Sequence, residues 1–198
     1  MNKRELAPGI VVYADAIKGH ETLPKDIEEG ILSAGLSWQK SAVRAEYEAK
    51  VDTSLRDTEI LGVEYKDHIV ENFNNTQEAF FGTLSNMFFE SLTPLEKDYR
   101  HQYGFDTSWH DQYGLLKYGE GQKFTNHIDD HPEHHRRMST VYYMNDDYTG
   151  GEILFPRFGL SYKPKANDFI VFPSTYVYNH SVTPVEKGTR YAVVSWLK

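Results

Sequence analysis

From about Leu115 onward the chain is a succession of short β-rich segments separated by turn signals, at Glu120-Gly121, Asn145-Asp146-Asp147, Gly150-Gly151, Pro164 to Asp168 and Glu186-Lys187-Gly188. Strands at this spacing build a sandwich or a barrel. Apolar runs such as Asp168-Phe169-Ile170-Val171-Phe172 supply the walls, and Pro173 is expected to end that strand. The earlier part of the chain reads as helical. Leu23-Pro24 precedes a candidate helix in which Ile27, Ile31 and Leu32 recur near helical spacing, with Asp26, Glu28 and Glu29 in its first turns. Ala79, Phe80, Leu84, Met87 and Phe88 form a longer apolar stripe, and Thr93-Pro94-Leu95-Glu96 has the spacing of a capping box, so a further short helix is expected to start there. Such helices bury one face, and the natural place is the outside of the sheet.

Within the strand-rich part, His127-Ile128-Asp129 stands out. On an extended strand, residues two apart project to the same face, so one imidazole and one carboxylate can reach a single ion, while Asp130 turns to the opposite face. His180 can supply a third ligand. Two histidines and one carboxylate make the facial triad that leaves coordination positions open on non-haem Fe(II). Arg190 opens the run Arg190 to Leu197, whose β-branched and aromatic content reads as a strand; Arg190, Ala192, Val194 and Trp196 share one face. An arginine at the head of an apolar face either lies at a rim or meets an anion inside the fold. A dicarboxylate fits: its far carboxylate takes a bidentate bond from the guanidinium while its keto-acid end faces the metal. His131, His134 and His135, with Arg136 and Arg137, read as a solvated loop near the mouth of the site rather than a second metal cluster.

These motifs together resemble the Fe(II)- and 2-oxoglutarate-dependent dioxygenases, and within them the prolyl 4-hydroxylase branch. The resemblance runs from about Tyr113 to Lys198. It is carried by Leu115 through Asp129, by Val141-Tyr142-Tyr143-Met144-Asn145, by Gly150-Gly151-Glu152-Ile153-Leu154-Phe155-Pro156, and by His180-Ser181-Val182-Thr183-Pro184-Val185 with Gly188 and Arg190. Arg190 stands where collagen-type enzymes carry lysine and hypoxia-sensing ones carry arginine. The resemblance implies a double-stranded β-helix, or jelly roll, with iron inside one mouth. It implies His127, Asp129 and His180 as metal ligands and Arg190 as the 2-oxoglutarate anchor. Tyr118 and Tyr143 resemble family tyrosines near the cosubstrate, where a phenol hydrogen-bonds a carboxylate, and Trp196 would wall the iron from water. Weaker similarity upstream places Val51 to Ile60, with Thr53 and Thr58 where the family has serines, in a lid over peptide substrate, making Arg56 a candidate substrate contact. Gly150-Gly151 is read as serving backbone geometry alone.

The expected architecture is therefore mainly β with flanking helices, a single dioxygenase domain over 1–198, with helical support over about 1–112 and jelly-roll motifs over about 113–198. The reaction the resemblance implies takes Fe(II), 2-oxoglutarate and O2, releases succinate and CO2, and hydroxylates a prolyl residue of a peptide or protein; ascorbate is admitted as a further ligand. A free amino acid or another side chain as substrate, and a non-catalytic cupin-like metal-binding module, are the alternatives. At 198 residues and 39% hydrophobic content the chain suits one compact domain, and its formal charge of −8 argues against a general nucleic-acid binder. With no cysteine, disulfides and thiolate metal sites are excluded, leaving oxygen and nitrogen ligands. The N-terminal segment lacks the apolar core of a signal peptide and no stretch is long enough to cross a bilayer, so no membrane association and a cytoplasmic location are expected. Oligomeric state is not legible.

Overall fold

The structure is a computed structural model and describes residues 2–45, 48–63, 74–104, 106–107, 110–130 and 135–198. The chain opens with the hairpin β1 (Asn2–Ala7) and β2 (Ile10–Ala14), followed by helix α1 (Leu23–Ser33). Short strands β3 (Gln39–Lys40), β4 (Val43–Ala45), β5 (Glu48–Lys50) and β6 (Arg56–Asp57) lead to β7 (Glu59–Val63) and then helix α2 (Asn75–Tyr103). Strands β8 (His110–Tyr118), β9 (Lys123–His127), β10 (Met138–Tyr143), β11 (Thr149–Gly150) and β12 (Ile153–Phe155) come next. The chain closes with β13 (Leu160–Tyr162), β14 (Phe169–Pro173), β15 (His180–Val182), β16 (Val185–Lys187) and β17 (Arg190–Leu197).

Two antiparallel sheets carry the architecture. The larger has eight strands in the order β1-β2-β14-β10-β17-β8-β7-β3, and the smaller five, β13-β12-β15-β9-β6. Period two sorts the side chains of the larger sheet between two cores. Val11, Tyr13, Leu115, Tyr142, Phe169, Val171 and Val193 face one way and pack with Ile27, Ile31, Leu84, Phe88 and Leu95 of the helices. Ile10, Val12, Leu116, Tyr118, Val141, Tyr143, Ile170, Phe172 and Ala192 face the other way and pack with Ile153, Phe155 and Val182 of the smaller sheet. Strands covered on both faces read as unbroken apolar runs, as Ile10 to Tyr13 and Phe169 to Phe172 do. The result is a double-stranded β-helix with helices on its outer face, and Pro173 is the last residue of its strand.

Three expectations are corrected. The span 1–112 is not simply helical support, because β1, β2, β3 and β7 extend the larger sheet and β6 joins the smaller one. The run Ile10 to Tyr13 is apolar on both faces, and its residues pair with β14, Tyr13 opposite Phe169. No helix starts at Thr93; α2 runs through it with Pro94 inside. Its cap is Asn74, whose side chain accepts from the Thr76 and Gln77 N–H groups while the Gln77 side chain accepts from the Asn74 N–H. The buried stripe Phe81, Leu84, Phe88, Leu92, Leu95 and Tyr99 continues across Pro94. Burying those large side chains outweighs the cost of about 3 kcal/mol for an interior proline. In α1 the buried stripe is Leu23, Ile27 and Ile31, whereas Leu32 is 80% exposed. No helix among the described residues is long and apolar enough to cross a membrane.

Candidate active site

The smaller sheet brings the two histidines together. Strands β9 and β15 are antiparallel neighbours, and His127 and His180 are direct partners in their register. Their rings lie 4.2 Å apart between centroids. Asp129 lies just past the end of β9, in a bend rather than on the strand. It still turns back to the same side: its Oδ1 is 3.6 Å from His127 Nε2 and its Oδ2 3.8 Å from His180 Nε2. One ligand atom from each of the three lies within 4.8 Å of the others. Metal–nitrogen and metal–oxygen bonds of about 2.0–2.2 Å can bridge such separations after small side-chain movements.

The same local device orients both imidazoles. Nδ1 of His127 faces the Thr125 carbonyl at 2.8 Å, and Nδ1 of His180 faces the Tyr178 carbonyl at 3.1 Å, each two residues earlier in the chain. With the proton on Nδ1, both Nε2 lone pairs point at the shared centre, the outer support that metal-binding histidines require. Phe124 stacks on His127 at 3.6 Å, and Phe155 and Phe172 flank His180. Burial, and then the neighbouring His180, hold the His127 imidazole far below its usual pKa, in its neutral form. For Asp129 burial works to raise the pKa, but the facing imidazoles and donors on Ser139 and Trp196 outweigh it, and the carboxyl is held below its ordinary value. A neutral His127 and an ionised Asp129 are the protonation states a divalent cation needs from these ligands.

Across the cavity, the larger sheet supplies Arg190, 1% exposed, at the start of β17 and opposite Tyr118 in the β8 register. Its guanidinium carbon lies 4.6 Å from the Tyr118 ring and 5.0 Å from the Tyr143 ring. No carboxylate among the described residues pairs with it, and its Nε and Nη1, together with the Tyr143 and Tyr148 hydroxyls, are buried without a hydrogen-bond partner. An uncompensated buried guanidinium is costly, so this cluster of donors fits an anion of carboxylate geometry. The cavity, of about 610 Å³, is lined by the triad, by Arg190, Tyr118 and Tyr143, and by Arg56 and Trp196.

The candidates thus share one cavity, but with different neighbours. Trp196 stands on the Arg190 face of β17, yet its indole serves Asp129 and carries the Arg136 guanidinium 3.7 Å above its ring. Arg56 pairs with Phe124 in the β6–β9 register. Asp130 lines the same cavity and, with His135, Arg136 and Arg137, a second groove of about 360 Å³. His131 and His134 lie outside the described residues. Among the described residues His127, Asp129 and His180 are the one group of three side chains placed to hold a metal.

Sequence reasoning missed two supports of Arg190. Tyr148, 4% exposed, is close enough for its phenol to bear on the guanidinium charge, and nothing in its context distinguished it from a core aromatic. Asn145 lay inside a quoted motif without a role. Its amide donates to the Thr189 carbonyl at 2.7 Å and accepts from the Tyr191 N–H at 2.8 Å, clamping the backbone on both sides of Arg190. Gly151 does more than turn the chain. At φ +66°, a Cβ there would sit 3.0 Å from the Tyr148 ring and 3.1 Å from Arg190 Cδ.

Residues 113–198 match the sequence model of the 2OG-Fe(II) oxygenase superfamily. A PKHD-type hydroxylase of Cupriavidus pinatubonensis is 34% identical over 94 residues, which is 41% of this chain and 40% of that relative. The chain therefore aligns with less than half the length of that relative. Among solved structures, a prolyl hydroxylase from Trichoplax adhaerens in complex with a hypoxia inducible factor peptide fragment superposes with a TM-score of 0.68 at 14% identity, covering 96% of this chain and 83% of that one. A prolyl-4-hydroxylase of Pseudomonas putida superposes with a TM-score of 0.67 at 17% identity, covering 96% and 92%. At such identities the superpositions speak for the fold, and they agree with the β-helix described above. Over residues 113–198, then, the chain is similar in sequence to the 2OG-Fe(II) oxygenase superfamily, and over nearly its whole length it shares the fold of the prolyl hydroxylases named above.

Proposed function

We propose that the protein is an Fe(II)- and 2-oxoglutarate-dependent dioxygenase that hydroxylates a prolyl residue of a peptide or protein, with residues 1–198 acting as one domain. The observation that carries this reading is the unpaired, buried Arg190 facing the His127–Asp129–His180 cluster across a single cavity. A metal-binding module without oxygenase activity has no use for a buried cation at that place. Bound iron and 2-oxoglutarate supply oxidative decarboxylation to succinate and CO2, with insertion of one oxygen atom from O2 into a C–H bond of the substrate.

In this reading the protein's part is positioning. His127, Asp129 and His180 hold the metal on one face and leave the rest of its coordination sphere to ligands in the cavity. Arg190, backed by the Tyr143 hydroxyl and flanked by Tyr118, fixes the far carboxylate of 2-oxoglutarate. Trp196 holds Asp129, and the rings of Phe124, Phe155 and Phe172 keep water from the histidines. Arg56 stands on the strand bordering β9 and contacts the substrate. The N-terminal strands support the single-domain reading, since β2 and β7 hydrogen-bond into the sheet that carries Arg190. Ascorbate is admitted as an accessory ligand in this reading, and the cytoplasm is its setting.

The test follows succinate formation from 2-oxoglutarate under air with added Fe(II), with and without proline-rich peptides read by mass spectrometry. Wild type is expected to turn over, faster with a peptide that gains one oxygen on proline, and His127→Ala to lose at least about a thousandfold. Turnover without peptide oxidation would move the substrate to another class, and absence of metal-dependent 2-oxoglutarate binding would refute the dioxygenase reading. Asn145→Ala gives a second expected outcome. Losing the clamp around Arg190 should raise the KM for 2-oxoglutarate about tenfold, as expected for one or two lost hydrogen bonds, while metal affinity measured by titration stays unchanged.

A further inference from the structure

Once the triad and Arg190 are assigned, one charged group of the cavity has no counterpart. Arg56 points its guanidinium into the same space, 4.7 Å from the Phe124 ring that stacks on His127. Among the described residues its one hydrogen bond runs from Nη1 to the Ala42 carbonyl at 3.4 Å, and its Nε is buried with no partner there. No carboxylate among the described residues forms an ion pair with it. The position is built rather than floppy. The Asp52 carbonyl accepts from the Leu55 and Arg56 N–H groups at 3.1 and 2.9 Å, the Leu55 carbonyl accepts from the Thr125 N–H at 2.8 Å, and Arg56 pairs with Phe124 across the sheet. Arg136, the other cavity arginine, is engaged with Trp196 and the Asp129 carbonyl.

A neutral carbonyl could satisfy one of the Arg56 N–H groups, but it would leave the charge of this half-buried side chain, with its Nε already shut away from water, without a counter-ion. A carboxylate meets both demands, because the Nε edge of a guanidinium presents two parallel donors. Resting on the dioxygenase reading above, we infer that the substrate carries a carboxylate close to the carbon that is hydroxylated, and that Arg56 recognises it. The chain as a whole bears a net charge of −8, so its surface offers such a substrate no general attraction and selection falls to this local cation. Two sources share the chemistry: an acidic side chain next to the target proline, or the free α-carboxylate of an amino acid or chain end.

The experiment uses the full chain loaded with Mn(II) and 2-oxoglutarate without oxygen, and measures binding by calorimetry. Paired probes are acetyl-Ala-Pro-Asp-Ala-amide against its Asn twin, and L-proline against L-prolinamide. In at least one pair the carboxylate form should bind about tenfold or more tightly, and the responding pair names the source. In Arg56→Gln the preference should fall to within about twofold, Arg56→Lys should retain part of it, and Arg56→Glu should favour the Lys twin of the peptide. Equal affinities within both pairs, a preference that survives Arg56→Gln, or no binding by any probe would overturn the inference. So would a loss of 2-oxoglutarate affinity in Arg56→Gln equal to the loss for the probes, which would assign Arg56 to the cosubstrate. Metal-dependent 2-oxoglutarate binding, measured in the same cell before any probe is added, tests the dioxygenase reading separately.

Discussion

Arg190→Met is expected to raise the melting temperature of the ligand-free protein and at the same time to abolish its response to 2-oxoglutarate. The two effects have one cause. Arg190 is 1% exposed, with Nε and Nη1 unpartnered beside the Tyr143 and Tyr148 hydroxyls, so without 2-oxoglutarate the desolvation of this cation is met by tyrosine rings and phenols but by no carboxylate among the described residues. Replacing buried ions by hydrophobic side chains of similar volume is neutral or stabilising by about 1–4 kcal/mol. In a chain of this size that amounts to a few degrees, at about 2–4 °C per kcal/mol. With metal present, 2-oxoglutarate at a hundred times its Kd should stabilise wild type by about 2.7 kcal/mol, or about 5–10 °C. Removing one partner of a buried charge pair costs about 2–5 kcal/mol, which weakens binding by roughly thirtyfold to several thousandfold, so the variant should show no such shift. Thermal melts with and without 2-oxoglutarate check both halves. A variant that melts lower when ligand-free and binds 2-oxoglutarate as before would make Arg190 a structural residue and leave the anion site without its anchor.

The parts of this arrangement that could be read from the sequence are those set by period two. Arg190 and Trp196 share a strand face because they are six residues apart, and the apolar run Phe169 to Phe172 reads as a strand of the wall that ends at Pro173. The pairing of His127 with His180 is not available in that way, since nothing local states that β9 and β15 are neighbours in matching register; the resemblance implied only that the two histidines serve one metal, and the register comes from the fold. Tertiary burial also overrode local signals. Thr93-Pro94 has the form of a helix start, yet the stripe from Phe81 to Tyr99 is worth more when buried as one continuous face, and the Thr93 hydroxyl instead donates to the Phe89 carbonyl within the helix. The strand Ile10 to Tyr13 stands in a half of the chain whose other signals are helical, and four apolar residues in a row do not by themselves separate a strand from a buried helical turn. Tyr148 illustrates a different limit. Its place beside Arg190 depends on the Gly150-Gly151 turn that folds the segment back, and a turn residue shows in sequence as freedom of the backbone, not as the contact that freedom permits.

That turn underlies the second large effect, Gly150→Ala. A methyl group on Gly150 would lie 2.2 Å from the Pro184 carbonyl oxygen and 2.9 Å from the Glu186 backbone nitrogen, at φ +69°. Both atoms belong to backbone, so no side chain can swing aside to relieve the clash. The chain must open the β11–β16 pairing, in which Gly150 faces Val185. Gly121→Ala separates the contributions, because Gly121 also has a positive φ, +80°, but a Cβ there would meet nothing within 4 Å. Left-handed backbone alone costs an L residue about 1–2 kcal/mol, which should lower the melting temperature of Gly121→Ala by about 2–8 °C. Gly150→Ala should fall by about 10 °C or more, since strain, clash and lost ladder hydrogen bonds add. The damage should also be local. Gly151, the next residue, packs against Arg190 Cδ and donates its N–H to the Pro184 carbonyl at 3.1 Å, whereas the His127, Asp129 and His180 proposed to hold the metal sit on β9, β15 and the bend beyond β9. Below its melting point the variant is therefore expected to lose affinity for 2-oxoglutarate well before it loses affinity for the metal. Equal melting temperatures for Gly150→Ala and Gly121→Ala would show that the β11–β16 approach is looser than the structure has it, and that the wall behind Arg190 is set by Tyr148 and Asn145 alone.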